Sequence, residues 1–227
     1  MARRRFTGRP IVHLITRGVE RRWVYESESL KWRLLNLLGE AALHHDVRIL
    51  AFVLMSNHYH LIATAEGGDL SRLMRRINQR YSTYFNRVNK RVGTLYQGRF
   101  RSFLIRSDAW LLSRTAYLHA NPPAAGIGPN PEAYLWSSYR AYVGKENPPS
   151  WLDVRSVLTI FSPDLDAARE RYAAYMRSIL QDNCKERSDA EWVDEEETSP
   201  RLPVRTGFES GSNGDLIGYG AGSSRVR

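Results

Sequence analysis

A chain of 227 residues is long enough for one full core, or for one domain with a substantial appendage, at roughly 100–200 residues per domain. Its formal net charge of +9 favours a polyanionic partner, nucleic acid or an anionic membrane surface, and disfavours an acidic one. The single cysteine, Cys184, excludes an intramolecular disulfide and a cysteine-based zinc cluster, and no window approaches the roughly 18 apolar residues of a membrane span.

The start, "MARRRFTGRP", carries the positive charge of a signal peptide, but the apolar run after it, "IVHLI", is short and soon interrupted by Arg17. A cytoplasmic location is therefore expected. Residues 10–18, "PIVHLITRG", alternate apolar and polar side chains and read as a strand. From Ser29 to His45, Leu30, Leu34, Leu37, Leu38 and Ala41 recur at helical spacing. "VRILAFVLM" is a continuous apolar run of strand length, and "HYHLIATA" is a second strand after the polar break Ser56-Asn57.

A long helix is expected from Asp69, in the N-cap position, to Asn89, with the stripe Leu70, Met74, Ile77, Tyr81, Tyr84 and Val88. "GTLYQGRFRSFLI" reads as an extended segment or hairpin. A further helix begins at Ser107-Asp108 and is expected to stop near Asn121, because Pro122 disfavours the α conformation in the residue before it. The order β-α-β-β-α-β followed by another helix predicts an α+β, ferredoxin-like antiparallel sheet with helices packed on one face. Beyond Pro129, "PEAYLWSSYRAYVG" and residues 163–180 read as short helical pieces. From Glu186 to Glu197 seven acidic side chains stand against one arginine, and residues 207–227 are rich in Gly and Ser, so the tail is expected to be disordered.

Three features carry chemistry. In "LMSNHYHLI", His58 and His60 are two residues apart on a strand, so both point to one face while Tyr59 points to the other. Two imidazoles placed that way can share a metal ion or a phosphate, and can equally be ordinary half-buried strand residues. From Leu70 to Arg106 there are ten cationic side chains, Arg72, Arg76, Arg80, Arg99 and Arg101 among them, and no Asp or Glu. Such a segment repels itself unless an anion lies among it, and the aromatic residues within it offer stacking faces for unpaired bases. Tyr81 and Tyr84 lie on the helical stripe and read as core; Tyr96, Phe100 and Phe103 stay open. Third, Trp110, Arg114, Tyr117 and Asn121 share one helix face. A phenol is a poor nucleophile near neutrality, with a pKa of about 10, unless a metal-polarised phosphate is within reach.

"LMSNHYHLIAT", "INQRYSTYFNRVNKRVGTLYQGRFRSFLI", "AYLHANPPAAG" and "YLWSSYRAY", in that order, resemble the HUH single-strand DNA transposases with one catalytic tyrosine, in the branch of REP-associated tyrosine transposases. The resemblance spans roughly residues 8–145. It implies a ferredoxin-like fold with an added C-terminal catalytic helix, and transposase chemistry: cleavage of single-stranded DNA beside hairpin or palindromic elements through a 5′-phosphotyrosine. Carried over by position, His58 and His60 match the metal-binding pair, Tyr117 the nucleophile, and Asn121 an amide that completes the site for Mg²⁺ or Mn²⁺. Phosphates of the strand are expected on Arg72, Arg76, Arg80, Arg99 and Arg101. Many relatives carry an arginine after the Asn-Pro, where this chain has Pro123-Ala124-Ala125.

On this reading residues 1–145 form the transposase and endonuclease domain, 146–181 a helical extension packing on it, and 182–227 the tail. Monomer and homodimer are both open, and no membrane is involved. Two rivals share the same residues. A non-catalytic single-stranded DNA- or RNA-binding protein explains the cations and aromatics but not the two histidines and Tyr117 as a set. A zinc-dependent hydrolase lacks a nearby acidic base.

Overall fold

The structure is a computed structural model, and it describes residues 10–65 and 69–186. Strand β1 (Ile11–Arg17) leads to helix α1 (Glu28–His44), followed by β2 (Val47–Leu54), β3 (His58–Ala65), α2 (Leu70–Val88), β4 (Arg101–Ile105) and α3 (Asp108–Ala124). Two short helices, α4 (Tyr139–Tyr142) and α5 (Arg155–Leu158), precede the long α6 (Leu165–Glu186). The sheet order is β2-β3-β1-β4 with every pairing antiparallel, which is the ferredoxin-like arrangement. Expectations for the acidic and Gly/Ser tail beyond residue 186 lie outside the described residues. Among the described residues no helix is long and apolar enough to cross a membrane.

Alternation along the central strands divides the molecule into layers. On β1, Val12, Leu14 and Thr16 point one way and His13, Ile15 and Arg17 the other. The first set faces α1 and α2: Asn78 of α2 donates from Nδ2 to Thr16 Oγ1 (3.3 Å) and accepts from the Tyr59 hydroxyl (2.7 Å). The second set faces α3. The helices therefore do not all lie on one face, because α3 covers the side that α1 and α2 leave open.

Local chemistry starts α1, α2 and α3. Ser27 Oγ accepts from Leu30 N, Asp69 Oδ1 from Ser71 N and Arg72 N, and Ser107 Oγ from Trp110 N, so orphan amides of the first turns are satisfied. Along α2 the buried residues are Leu73, Met74, Ile77, Tyr81 and Phe85. Tyr84 is only half buried and Val88 is exposed, so the stripe drifts from the expected one as the helix turns against α1. Helix α3 does not stop at Asn121 but runs through Pro122 and Pro123 to Ala124. Proline's fixed φ is compatible with a helix, and burial of Pro122 offsets the cost of its missing N–H and of its ring crowding the carbonyl one turn back. The last turn closes through Ala125 N to Asn121 O (2.9 Å) and Ile127 N to Pro122 O (2.8 Å).

The free edge of β2 is covered by later chain, which prevents a bare edge. Leu54 N donates to Trp136 O (2.8 Å), Ser138 N to Phe52 O (3.0 Å) and Asp153 N to Ile49 O (2.8 Å). A bulge lies between Ile49 and Ala51, and the Leu50 carbonyl there accepts from the Tyr142 hydroxyl at 2.7 Å. His119 of α3 is fully buried and bonds with Tyr172 of α6 through Nδ1 and with Ser138 Oγ through Nε2 (2.8 Å). Ser138 Oγ in turn accepts from Phe52 N at 3.0 Å. One imidazole thereby ties α3 to β2 and to α6.

Trp151 lies against Phe52 and against α1 at Gly39, where an added Cβ would stand 2.6 Å from the indole. Glycine to alanine inside a helix ordinarily gains about 1 kcal/mol, but overpacking costs about 1–3 kcal/mol. Gly39→Ala is therefore expected to lower stability by about 1 kcal/mol, read as a reduced denaturant midpoint at unchanged slope; a raised midpoint would show that Trp151 does not pack there.

Candidate active site

The connection from β2 to β3 is held by main-chain bonds that aim the histidines. Met55 N donates to His58 O (2.8 Å), Val24 N and Tyr25 N both donate to Ser56 O, and Gly18 N donates to Asn57 O (2.8 Å). Gly18 has no room for a side chain, since a Cβ would meet the Arg22 carbonyl oxygen at 2.6 Å. With the loop fixed, His58 and His60 emerge on the α3 side of β3, and their ring centroids are 4.9 Å apart.

Tyr117 comes to them from α3. Its ring lies edge-on to His60, centroid to centroid 5.8 Å at 81°. The phenol is half buried. A third histidine completes the cluster: His13 of β1 is stacked on His60 with centroids 5.1 Å apart, and His13 Nε2 lies 2.9 Å from His60 Nδ1. His13 also touches Tyr117, at 6.3 Å between centroids, and Phe103 of β4, at 6.1 Å. Phe103 is therefore buried floor and not a stacking face for a base. His58 Nδ1 donates to Asn57 Oδ1 (2.6 Å), and Asn57 Nδ2 donates to the Arg21 carbonyl (3.1 Å), which fixes the amide's orientation.

Sequence reasoning placed neither His13 nor Asn57 in the site. His13 carried a signal, a polar residue of the same parity as Ile11 and Ile15, but its partner follows from strand register, which one sequence does not print. Asn57 was read only as part of a polar break.

Burial holds His13 and His60 neutral. His13 is pushed down to about 3, first by loss of solvent and then by the positive charge of Arg114. His60 is lowered well below the usual histidine range by burial, then by His13, His58, Arg17 and Arg114. Arg17 pairs in register with His58, and Arg114 sits one turn before Tyr117, so two guanidinium groups flank the cluster.

The remaining expected residues divide. Asn121 follows Tyr117 by one turn, and its Nδ2 donates to the Tyr117 carbonyl (3.0 Å). With Tyr117, Ala120, Ala124 and Ala125 it lines a cavity of about 200 Å³. Arg101 on β4 is register partner of Ile15 and so belongs to the histidine face, and Arg99 is exposed just before it. Arg72, Arg76 and Arg80 lie in the opposite layer. With Arg33, Arg75 and Arg87 they line a groove of about 750 Å³ between α1 and α2. Arg72 is paired there with Asp69 (3.3 Å), Arg80 with Glu40 (2.8 Å), and Arg33 lies over the Tyr84 ring. One strand crossing the sheet cannot touch all five expected arginines, because the sheet itself stands between the two sets.

The donor set suits a divalent cation through nitrogen. His60 Nε2 is buried with no hydrogen-bond partner, and His58, protonated on Nδ1 toward an amide oxygen, carries its lone pair on Nε2. Among the described residues no three His, Cys, Asp or Glu side chains form a metal-binding group, so no carboxylate joins them. Such a site favours an ion that accepts imidazole, with remaining positions taken by water or phosphate oxygen.

Residues 9–120 match the family model described as IS200-like transposase. Among solved structures, the chain is similar to a REP-associated tyrosine transposase bound to a REP hairpin, at 20% identity over 68% of this chain and 93% of that one, with a TM-score of 0.52. A crystal structure of a transposase candidate from Deinococcus radiodurans aligns at 16% identity over 50% of this chain and 92% of that one, with a TM-score of 0.38. No curated protein matches the chain in sequence.

The buried neutral histidines set an acid limit. His13 and His119 each titrate at about 3 in the folded chain and near 6.5 when unfolded. Below about pH 6.5 the unfolded chain binds protons that the folded one refuses, so this stability is complete above that pH and is lost as pH falls toward 3. Unfolding free energies between pH 4.5 and 6 should decline with acidification, and His119→Gln should flatten that slope by about 1.4 kcal/mol per pH unit. An unchanged slope would mean that His119 is protonated in the fold.

Proposed function

Because residues 9–120 match the model of the IS200-like transposase family, we propose that this chain belongs to that family and that it cleaves and rejoins single-stranded DNA beside hairpin elements, with Tyr117 as the nucleophile. The observation that carries this reading is the convergence of Tyr117, His58 and His60 from separate elements within one chain.

In the proposed step the Tyr117 oxygen forms a bond to phosphorus and the bond from phosphorus to the 3′-oxygen breaks. The phenolic proton leaves Tyr117, a proton ends on the released 3′-oxygen, and the 5′ side stays attached as a phosphotyrosine. The covalent ester conserves the bond energy, so reversal can join a new 3′-hydroxyl without a nucleotide cofactor. His58 and His60 would hold Mg²⁺ or Mn²⁺ through their Nε2 atoms, with Asn121 the expected third group if its amide turns away from the Tyr117 carbonyl. When bound, the ion supplies positive charge to the phosphate oxygens. Arg17 and Arg114 flank the position the phosphate would take and add to that charge. The dry floor of His13 and Phe103 keeps the field of those cations strong.

Two DNA surfaces follow from the two layers. Arg99 and Arg101 would hold the strand entering the histidine face. The groove of Arg72, Arg76 and Arg80 would hold phosphates of the paired stem, the part of a hairpin that needs cations and no base readout. The similar transposase bound to a REP hairpin supports such a substrate.

Incubating the protein with Mn²⁺ and a hairpin-flanked oligonucleotide should yield an adduct that resists denaturation, and Tyr117→Phe should reduce it by at least about 10³-fold. Equal adduct from both proteins, or binding by both with no adduct from either, would leave the non-catalytic reading. For the groove, Arg75→Ala combined with Arg87→Ala should reduce the dependence of log affinity on log salt by about two and weaken hairpin binding more than binding of the same strand without its stem. An unaltered salt slope would remove the groove from the DNA path.

A further inference from the structure

The two proposed ligands differ in how their tautomers are set. Opposite His58 Nδ1 stands the Asn57 oxygen, which can only accept, so that ring is protonated on Nδ1 whatever else is present. Opposite His60 Nδ1 stands another imidazole nitrogen, His13 Nε2, which can donate or accept. Both rings are 1% exposed, so water does not replace either partner. The outer nitrogens, His13 Nδ1 and His60 Nε2, are buried without hydrogen-bond partners.

Only one proton lies between the rings, and there are two ways to place it. If His13 donates, His60 bears its other proton on Nε2, where it blocks a metal. If His60 donates, its Nε2 carries the lone pair and His13 is protonated on Nδ1. Each arrangement leaves one orphan donor and one orphan acceptor, so the pair is nearly balanced until something binds at His60 Nε2. A cation there is compatible only with the second arrangement.

We propose that His13 is a positioning residue for the metal centre described under Proposed function, on which reading this rests: it accepts the Nδ1 proton of His60 and so holds that ring in the tautomer that binds a divalent cation. A leucine at position 13 would fill similar space on a central strand, so packing alone does not call for an imidazole there. It would leave the His60 Nδ1 proton without an acceptor in the loaded site, and the loss of such an outer partner lowers metal affinity by about 10–100-fold.

The test is a titration of the full chain with Mn²⁺ alone, followed calorimetrically. His13→Leu should weaken binding by about 10–100-fold, with a metal-free melting temperature equal to or above that of the unaltered protein. His13→Gln, whose Oε1 reaches the place of the ring's Nε2 and accepts, should bind within about threefold of the unaltered protein. Equal affinity in the leucine variant overturns the role of His13 and leaves the metal centre standing. Absence of binding by the unaltered protein, with His60→Ala the same, overturns the metal centre and His13's role with it. If the leucine variant does not fold, nitrogen NMR of the unaltered protein loaded with Zn²⁺ decides: protons on Nδ1 of both His60 and His13 support the assignment, and a proton on His60 Nε2 refutes it.

Discussion

Everything in this fold follows from the two-residue alternation of its central strands under double-sided burial. Because β1 and β3 are covered above and below, neither parity is free to face water. Leu14, Tyr59 and Leu61 go toward α1 and α2, while His13, His60 and Ile62 go toward α3. A slip of one residue in either strand would exchange these sets and send the imidazoles among leucines. The main-chain bonds around Ser56 and Asn57, with the side-chain-free Gly18 beneath them, guard against that slip.

The elements themselves were legible because each announces its period. α1, α2, β2 and β3 lie within a residue or two of their expected spans, and the ferredoxin-like order followed from their succession. His58 and His60 could be singled out because imidazoles are costly in an apolar strand, and Tyr117 because the motif around it resembles that of a known family. What could not be read was which neighbours the fold would bring to them. His13 reaches His60 only through the β1 to β3 register, and Asn57 reaches His58 only through the shape of a tight connection. The end of α3 was misjudged for a different reason: a local preference against helix before Pro122 yields to the burial of that proline and to the contacts of His119. The basic segment was recognised as a unit, yet folding places it on two sides of a sheet, because α2 and β4 belong to different layers.

Polar residues in the interior serve two distinct purposes here. His119, with Tyr172 and Ser138, is fully satisfied, and such a network fixes one arrangement of the elements around it. His13 and His60 are incompletely satisfied, each with one nitrogen lacking a partner. An unsatisfied buried group weakens the fold by about 1–3 kcal/mol. Its retention beside Tyr117 is therefore informative in a way that the complete network is not.

The knot at His119 also bears on how a covalently held DNA end would be passed on. This imidazole lies two positions beyond Tyr117 on the same helix, and the knot fastens that helix at once to the edge strand and to α6. The phenol is thus mounted like a bollard, on a helix tied to both of its neighbours. In the proposed chemistry, exchange of one 3′ end for another would then draw on refolding and sliding of the nucleic acid around that anchor. The stiffness of the DNA would thereby enter the pace of joining.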